Sequence, residues 1–249
     1  MLFTNFRWKY VLHKLVVSGF QLFDTGRLHP ARERAIRDLN RSVDYVESRM
    51  ADALGLETQR EVLEYALSQT QVPGHYLEFG VFTGGTIRFL ARQLRKSKKG
   101  PIHGFDSFEG LPQAWGGFNL GPAAFSTGGK LPRVPANVVL HKGLFSETIP
   151  KWCEQVSGPI AFIHVDCDLY SSTIDILDGL CQRLQPGTVI VFDEYFNYPN
   201  WQEHEFKAWR EFVARHAVSY EYLAFARQQV ALRIRTIGPP PDDEPERLA

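Results

Sequence analysis

Two acidic pairs in this 249-residue chain could do chemistry: Asp166 and Asp168 in HVDCDLY, and Asp193 and Glu194 in VFDEYF. Each follows an apolar run, at 160–165 and 188–192, with the length and β-branched content of a buried strand. Asp166 and Asp168 have the i, i+2 spacing of a strand, so both carboxylates are expected on one side. Carboxylates crowded at two adjacent strand ends repel one another unless a proton or cation intervenes. A hard divalent ion with oxygen ligands meets that need. The competing role for Asp168 and Asp193 is to cap the helices that follow them.

A second constellation is LEFGVFTGGT at 77–86, between an apolar strand and a helical stretch. Gly80 can turn tightly there, and Gly84 and Gly85 let a ligand approach the backbone. The free N–H groups of the helix start favour an anionic group. The pattern is neither G-x-G-x-x-G nor a P-loop. Asp106 ends the next strand, where an acid accepts hydrogen bonds from ribose hydroxyls. Loop and acid together point to a nucleoside-bearing cofactor. Glu78 could meet a cationic amino group, which S-adenosylmethionine has and a nicotinamide dinucleotide lacks; a buried salt bridge is its alternative. The cofactor contacts are expected at Glu78, Gly80, Thr83, Gly84, Gly85, Thr86, Asp106, Ser107 and Gly143, with Asp166 on the neighbouring strand.

The elements that must position these residues alternate. Helical periodicity covers 30–50, 58–68, 86–95, 146–156, 170–184 and 202–216. Strands are read at 76–80, 102–105, 137–141, 160–165 and 188–192, with a closing pair at 219–226 and 229–235. This predicts a doubly wound, mostly parallel seven-stranded sheet of α/β class with helices on both faces, a Rossmann-like fold with a Gly-x-Gly-free loop. Residues 1–70 read as an N-terminal helical extension or lid, 71–237 as the main domain and 238–249 as a disordered tail rich in proline and acid. Residues 107–135 form a long loop in which Trp115, Phe118 and Phe125 could be a lid or a hydrophobic anchor. His164 reads as a packed or hydrogen-bonded core histidine, with a ligand as the rival. Trp201 and His204 either line an acceptor site or pack a helix.

Lys plus Arg and Asp plus Glu both number 28, so the formal charge is zero. That speaks against nucleic acid as a partner. Cys153, Cys167 and Cys181 fit neither a zinc pattern nor a disulfide framework and suit a reducing, cytoplasmic setting. The apolar stretch at 10–23 is interrupted by His13 and Lys14 and is too short to span a bilayer. An amphipathic helix packing on the domain or on a second subunit is expected there, with a surface anchor as the rival. Oligomeric state stays open.

FDSFEGLP at 105–112, HVDCDLYSST at 164–173 and DEY at 193–195 resemble the macrocin O-methyltransferase family, metal-dependent sugar O-methyltransferases of antibiotic pathways. The resemblance covers about 76–212. It implies a class I methyltransferase fold using S-adenosylmethionine and Mg²⁺, with Asp166, Asp193 and Glu194 as metal ligands and Asp168 as general base. His204 is the next candidate for that base. The family has two consecutive aspartates where this chain has Asp193-Glu194, and FNYPNWQEHEFKAW at 196–209 also departs from it. The expected acceptor is a small molecule, a sugar or glycoside hydroxyl. A catechol-type phenol, and a non-catalytic module that binds S-adenosylmethionine, remain as alternatives.

Overall fold

The computed structural model describes residues 30–116 and 120–238. The expected helix at 10–23, Phe118 and the tail from Pro239 lie outside them. The chain divides into two compact units, residues 1–37 and 38–249, and the second carries every strand of the described residues.

The elements run α1 (Pro30–Arg49), β1 (Leu54–Gly55), α2 (Gln59–Ser68), β2 (His75–Phe79), α3 (Gly85–Lys96), β3 (Ile102–Asp106) and β4 (Val138–Lys142). They continue with α4 (Phe145–Gln155), β5 (Ile160–Val165), α5 (Tyr170–Leu180), β6 (Val189–Phe192), α6 (Glu205–Arg215), β7 (Ser219–Phe225) and β8 (Val230–Thr236). One eight-stranded sheet has the order β1-β7-β8-β6-β5-β2-β3-β4. Only the pairings of β8 are antiparallel. The strand beyond the expected seven is β1, whose two residues pair parallel with Ala224 and Phe225. Two residues carry no periodicity, so sequence pattern could not reveal it.

Strands β2, β5 and β6 are buried on both faces, which explains their largely apolar sequences. In β6, Ile190 and Phe192 enter one core and Val189 and Val191 the other. Burying each such side chain contributes roughly 1.5–3 kcal/mol. The first core packs α4, α5 and α6, with Trp152, Ile176, Trp209 and Phe212. The second packs α2 and α3, with Leu63, Ile87 and Leu90. A reciprocal capping box starts α2: Thr58 Oγ1 accepts from Glu61 N–H, and Glu61 accepts from Thr58 N–H at 2.9 Å. Among the described residues no helix is long and apolar enough to cross a membrane.

The strand sequence reverses between β2 and β5. Chain order runs outward through β3 and β4, then returns to the other side of β2. Open α/β sheets bind ligands at the carboxyl ends of the strands flanking such a reversal. Both constellations read from the sequence end there.

At the opposite wing, His75, His103 and His141 lie on β2, β3 and β4 beside Trp152. His103 Nδ1 and His141 Nε2 are 3.0 Å apart, so one nitrogen donates and the other accepts. Burial, with repulsion from His141 and His75, lowers the His103 pKa to about 4. An unfolded histidine titrates near about 6.5, so across that interval the unfolded chain binds the extra proton. The stability from neutral His103 is therefore complete above about pH 6.5 and is lost as pH falls toward 4. Relative to His103→Gln, the wild type should lose stability in urea unfolding between about pH 7 and about pH 5. A wild-type-to-variant difference that does not change with pH would overturn this account.

Candidate functional site

The glycine loop leaves β2 beside the ends of β3 and β5. Gly80 has φ +92°, and a Cβ there would lie 1.7 Å from the Asp166 carbonyl oxygen. Glycine is thus required where the β2 loop crosses the end of β5. Gly84, with φ +77°, is the N-cap of α3. Gly85 faces open space, and Thr83 is exposed beside it. Asp106 holds the loop from below. Its carboxylate accepts from Val81 N–H at 2.8 Å and Phe82 N–H at 2.7 Å, and from Phe108 N–H at 2.6 Å. A carboxylate offers about four lone-pair positions, so Asp106 retains capacity for a further donor. Ser107 Oγ accepts from Glu109 N–H and donates to the Gly110 carbonyl. Gly143 N–H donates to the Asp106 carbonyl at 3.0 Å.

The acidic pairs converge across β5 and β6. Asp166 N–H donates to Phe79 O, and Asp193 N–H to Val165 O. Asp166 and Asp168 do not share a side by strand alternation, the arrangement their i, i+2 spacing predicts. β5 ends at Val165, and Asp168 lies in a tight turn with φ +65°, closed by a 2.7 Å bond from Leu169 N–H to the Cys167 carbonyl. Asp168 is placed by this strained turn, not by strand alternation. A non-glycine residue held at positive φ costs energy and is a recurring feature of functional sites.

Three residues not assigned to the site from sequence join it. His164 is fully buried, with Nδ1 at 3.1 Å from Glu78 Oε1 and Nε2 at 3.6 Å from Asp193 Oδ1. The first is a hydrogen bond; the second is an ion-pair contact beyond hydrogen-bond length. Gln59 Nε2 donates to Asp193 Oδ1 at 2.5 Å. Glu205, fully buried at the start of α6, accepts from Glu194 N–H at 3.1 Å and, at 3.5 Å, from Cys167 N–H. One carboxylate therefore spans both acidic loops. His164 had a signal in its strand spacing from Asp166. Gln59 and Glu205 had none, because their partners are distant in sequence.

Electrostatics follow from this crowding. Burial, then repulsion from Asp193, pushes Asp166 and Glu194 well above the ordinary carboxylate range and Asp168 to about 7. Burial raises Glu205 to about 8. Burial also raises Glu78, against the opposing pull of His164. Asp193 is the exception. Burial pushes it up, but His164, Gln59 and a hydrogen bond from Glu194 bring it below its ordinary value. Burial disfavours charge on His164, yet Asp193 and Glu78 together hold its pKa well above the usual one.

A divalent ion fits this donor set. Glu194 Oε2 and His164 Nε2 are buried without hydrogen-bond partners. Among the described residues, His164, Asp166 and Asp193 each offer one ligand atom, all within 4.8 Å of one another. Glu194 is outside that group but contacts Asp193. Glu78 faces His164 and is inaccessible to solvent. His204 stands apart: its half-buried ring packs on Trp115 and Tyr198 at centroid distances of 6.2 and 6.0 Å. Trp115 is buried, so it anchors the long loop at this point, while Phe125 packs on Phe82. Trp201 is buried against Tyr45 and Phe206.

The methyltransferase-domain family matches residues 77–195. Over 147 residues the chain is 31% identical to the 8-demethyl-8-(2,3-dimethoxy-alpha-L-rhamnosyl)-tetracenomycin-C 4'-O-methyltransferase of Streptomyces olivaceus, covering 50% of this chain and 54% of that enzyme. It therefore spans about half the length of this relative. Over 181 residues it is 29% identical to the mycinamicin III 3''-O-methyltransferase of Micromonospora griseorubida, covering 65% of this chain and 69% of that one. The crystal structure of the calicheamicin methyltransferase CalS11 has a TM-score of 0.54 at 21% identity, over 84% of this chain and 97% of that chain. The fold is that of the class I methyltransferases, and the resemblance to macrocin-type O-methyltransferases is borne out.

Glu205→Ala should free the N–H groups of Cys167 and Glu194 and destabilise the chain by about 1–3 kcal/mol, the scale for buried donors left unpaired. Amide exchange at those two residues should accelerate more than at the β5 and β6 interiors. Unchanged exchange at both would show that Glu205 does not hold the loops.

Proposed function

We propose that this chain is an S-adenosylmethionine-dependent O-methyltransferase that acts on a sugar hydroxyl of a small molecule with the help of a divalent cation such as Mg²⁺. The observation that carries this reading is the meeting of two acidic loops with the glycine loop at the sheet's reversal point. The rhamnosyl tetracenomycin substrate in the name of one relative supports a sugar acceptor.

When bound, S-adenosylmethionine supplies an electrophilic methyl group on a sulfonium, and a divalent ion supplies a charge that lowers the pKa of a hydroxyl beside it. The chain does the rest. The glycine loop and Asp106 hold the nucleoside portion. Asp166 and Asp193, with Glu194 behind them, hold the ion and so orient neighbouring oxygens of the acceptor. Asp168, fixed in its turn, takes the hydroxyl proton as the new O–C bond forms. The methyl donor, when bound, would keep the C–S electron pair as its thioether, so the proton on Asp168 is the only charge the chain has to move.

S-Adenosylhomocysteine should raise Tm by mass action, while NAD should not. Asp168→Asn should keep that shift, while turnover on a glycoside falls by about a hundredfold or more. A shift with NAD alone would overturn the cofactor assignment. Full turnover by Asp168→Asn at saturating Mg²⁺ would remove Asp168 as the base. Turnover on catechols but not glycosides would move the acceptor to phenols, and tight S-adenosylhomocysteine binding without turnover on either would favour a non-catalytic module.

A further inference from the structure

The proposed ion-binding cluster contains one group whose chemistry differs from the rest. His164 is a fully buried imidazole on β5, two residues before Asp166. A buried imidazole needs both nitrogens answered. Glu78 Oε1 answers Nδ1 at 3.1 Å. Nε2 lacks a hydrogen-bond partner and faces Asp193, while one oxygen from each of Asp166 and Asp193 lies within 4.8 Å of a ring nitrogen. With a cation in place of the proton at Nε2, the carboxylate on Nδ1 keeps the ring's remaining N–H on that side, and the Nε2 lone pair is on the side that faces Asp193. Metal-bound histidines are commonly held in this way, with the other ring N–H donated to a carboxylate.

We propose that His164 is a metal ligand through Nε2, completing with Asp166 and Asp193 a one-imidazole, two-carboxylate site for a divalent transition ion, with Glu78 as the positioning residue behind it. This rests on the reading that the acidic cluster holds a divalent ion. It goes beyond that reading in the donor set: carboxylates and water alone suit Mg²⁺, whereas an added imidazole favours first-row transition ions, Mn²⁺ included, over Mg²⁺. It also turns Glu78 away from the amino group of a bound ligand and toward the ring of His164.

Ranking of ion affinities would not test this, because first-row ions differ in affinity at nitrogen and oxygen sites alike. A nitrogen signature would. Mn²⁺ bound to the full chain, with S-adenosylhomocysteine present, is examined by pulsed electron paramagnetic resonance for modulation from a coordinated imidazole. The wild type should show it, and histidine labelled with the heavy nitrogen isotope should alter it. His164→Gln should abolish it and weaken Mn²⁺ binding. Glu78→Gln should keep it while weakening binding about 10–100-fold. If His164→Gln fails to fold, the labelled wild type together with Glu78→Gln still decides the matter. Mn²⁺ bound without nitrogen modulation would overturn the His164 proposal and leave the divalent-ion reading standing. Modulation persisting in His164→Gln would also overturn it. No Mn²⁺ binding by the wild type would overturn both.

Discussion

Carboxyl groups crowded at the ends of β5 and β6 impose a condition that the surrounding structure has to meet. Glu78, Asp168, Asp193, Glu194 and Glu205 are all buried, and Asp166 is half-buried among them. Water cannot solvate such a group, so each charge that survives needs a proton, a cation or oriented dipoles. The chain supplies dipoles at Glu205, through the N–H groups of Glu194 and Cys167. It supplies an imidazole and an amide at Asp193. At Glu194 burial favours a proton on the carboxyl, yet Oε2 is left without a hydrogen-bond partner, and a cation in place of that proton would answer it.

Holding the cluster together takes support from distant parts of the chain. The loop after Glu194 is tied to the Asp38–Arg49 portion of α1. Asn197 N–H donates to Ser42 Oγ at 2.9 Å, Asn200 N–H to Asp38 Oδ2 at 3.0 Å, and Trp201 Nε1–H to the Asp38 carbonyl at 3.0 Å. Asn197 and Asn200 both have positive φ, a conformation asparagine tolerates better than most residues. Further along, the hydroxyls of Tyr45 and Tyr195 meet that of Tyr222 at 2.6 and 2.8 Å, joining α1, the acidic loop and β7. These bonds give the residues of 196–204 a structural role, in the stretch where the chain departs from the family pattern.

Strands β2, β5 and β6 were legible because burial on both faces leaves a largely apolar run that a glycine or an acid follows. The convergence of the two acidic pairs was legible for the same reason, since strand order in a doubly wound sheet follows from alternation with helices. What sequence reading missed depended on contacts between distant residues. The span 202–216 reads as one helix, but it breaks at His204, where a short 3₁₀ turn gives way to α6. Periodicity continues through the break, and only the inward turn of Glu205 marks it. Asp168 looks like a strand residue because the positive φ that re-aims it has no signature in residue type.

The glycine loop and the acidic cluster share a wall. Gly80 N–H donates to Phe105 O, while Asp166 N–H donates to Phe79 O, so the β2 end is bonded to β3 on one side and β5 on the other. The absence of a side chain at Gly80 lets these backbones cross. Asp106 then fixes Val81 and Phe82, immediately beyond the crossing, through its own carboxylate. On the cluster side, Glu78 precedes the same crossing by two residues and holds His164. The glycine loop and the acidic cluster are therefore tied to one stretch of backbone, residues 78–82, and a single side chain added at Gly80 would collide with the Asp166 carbonyl and disturb both.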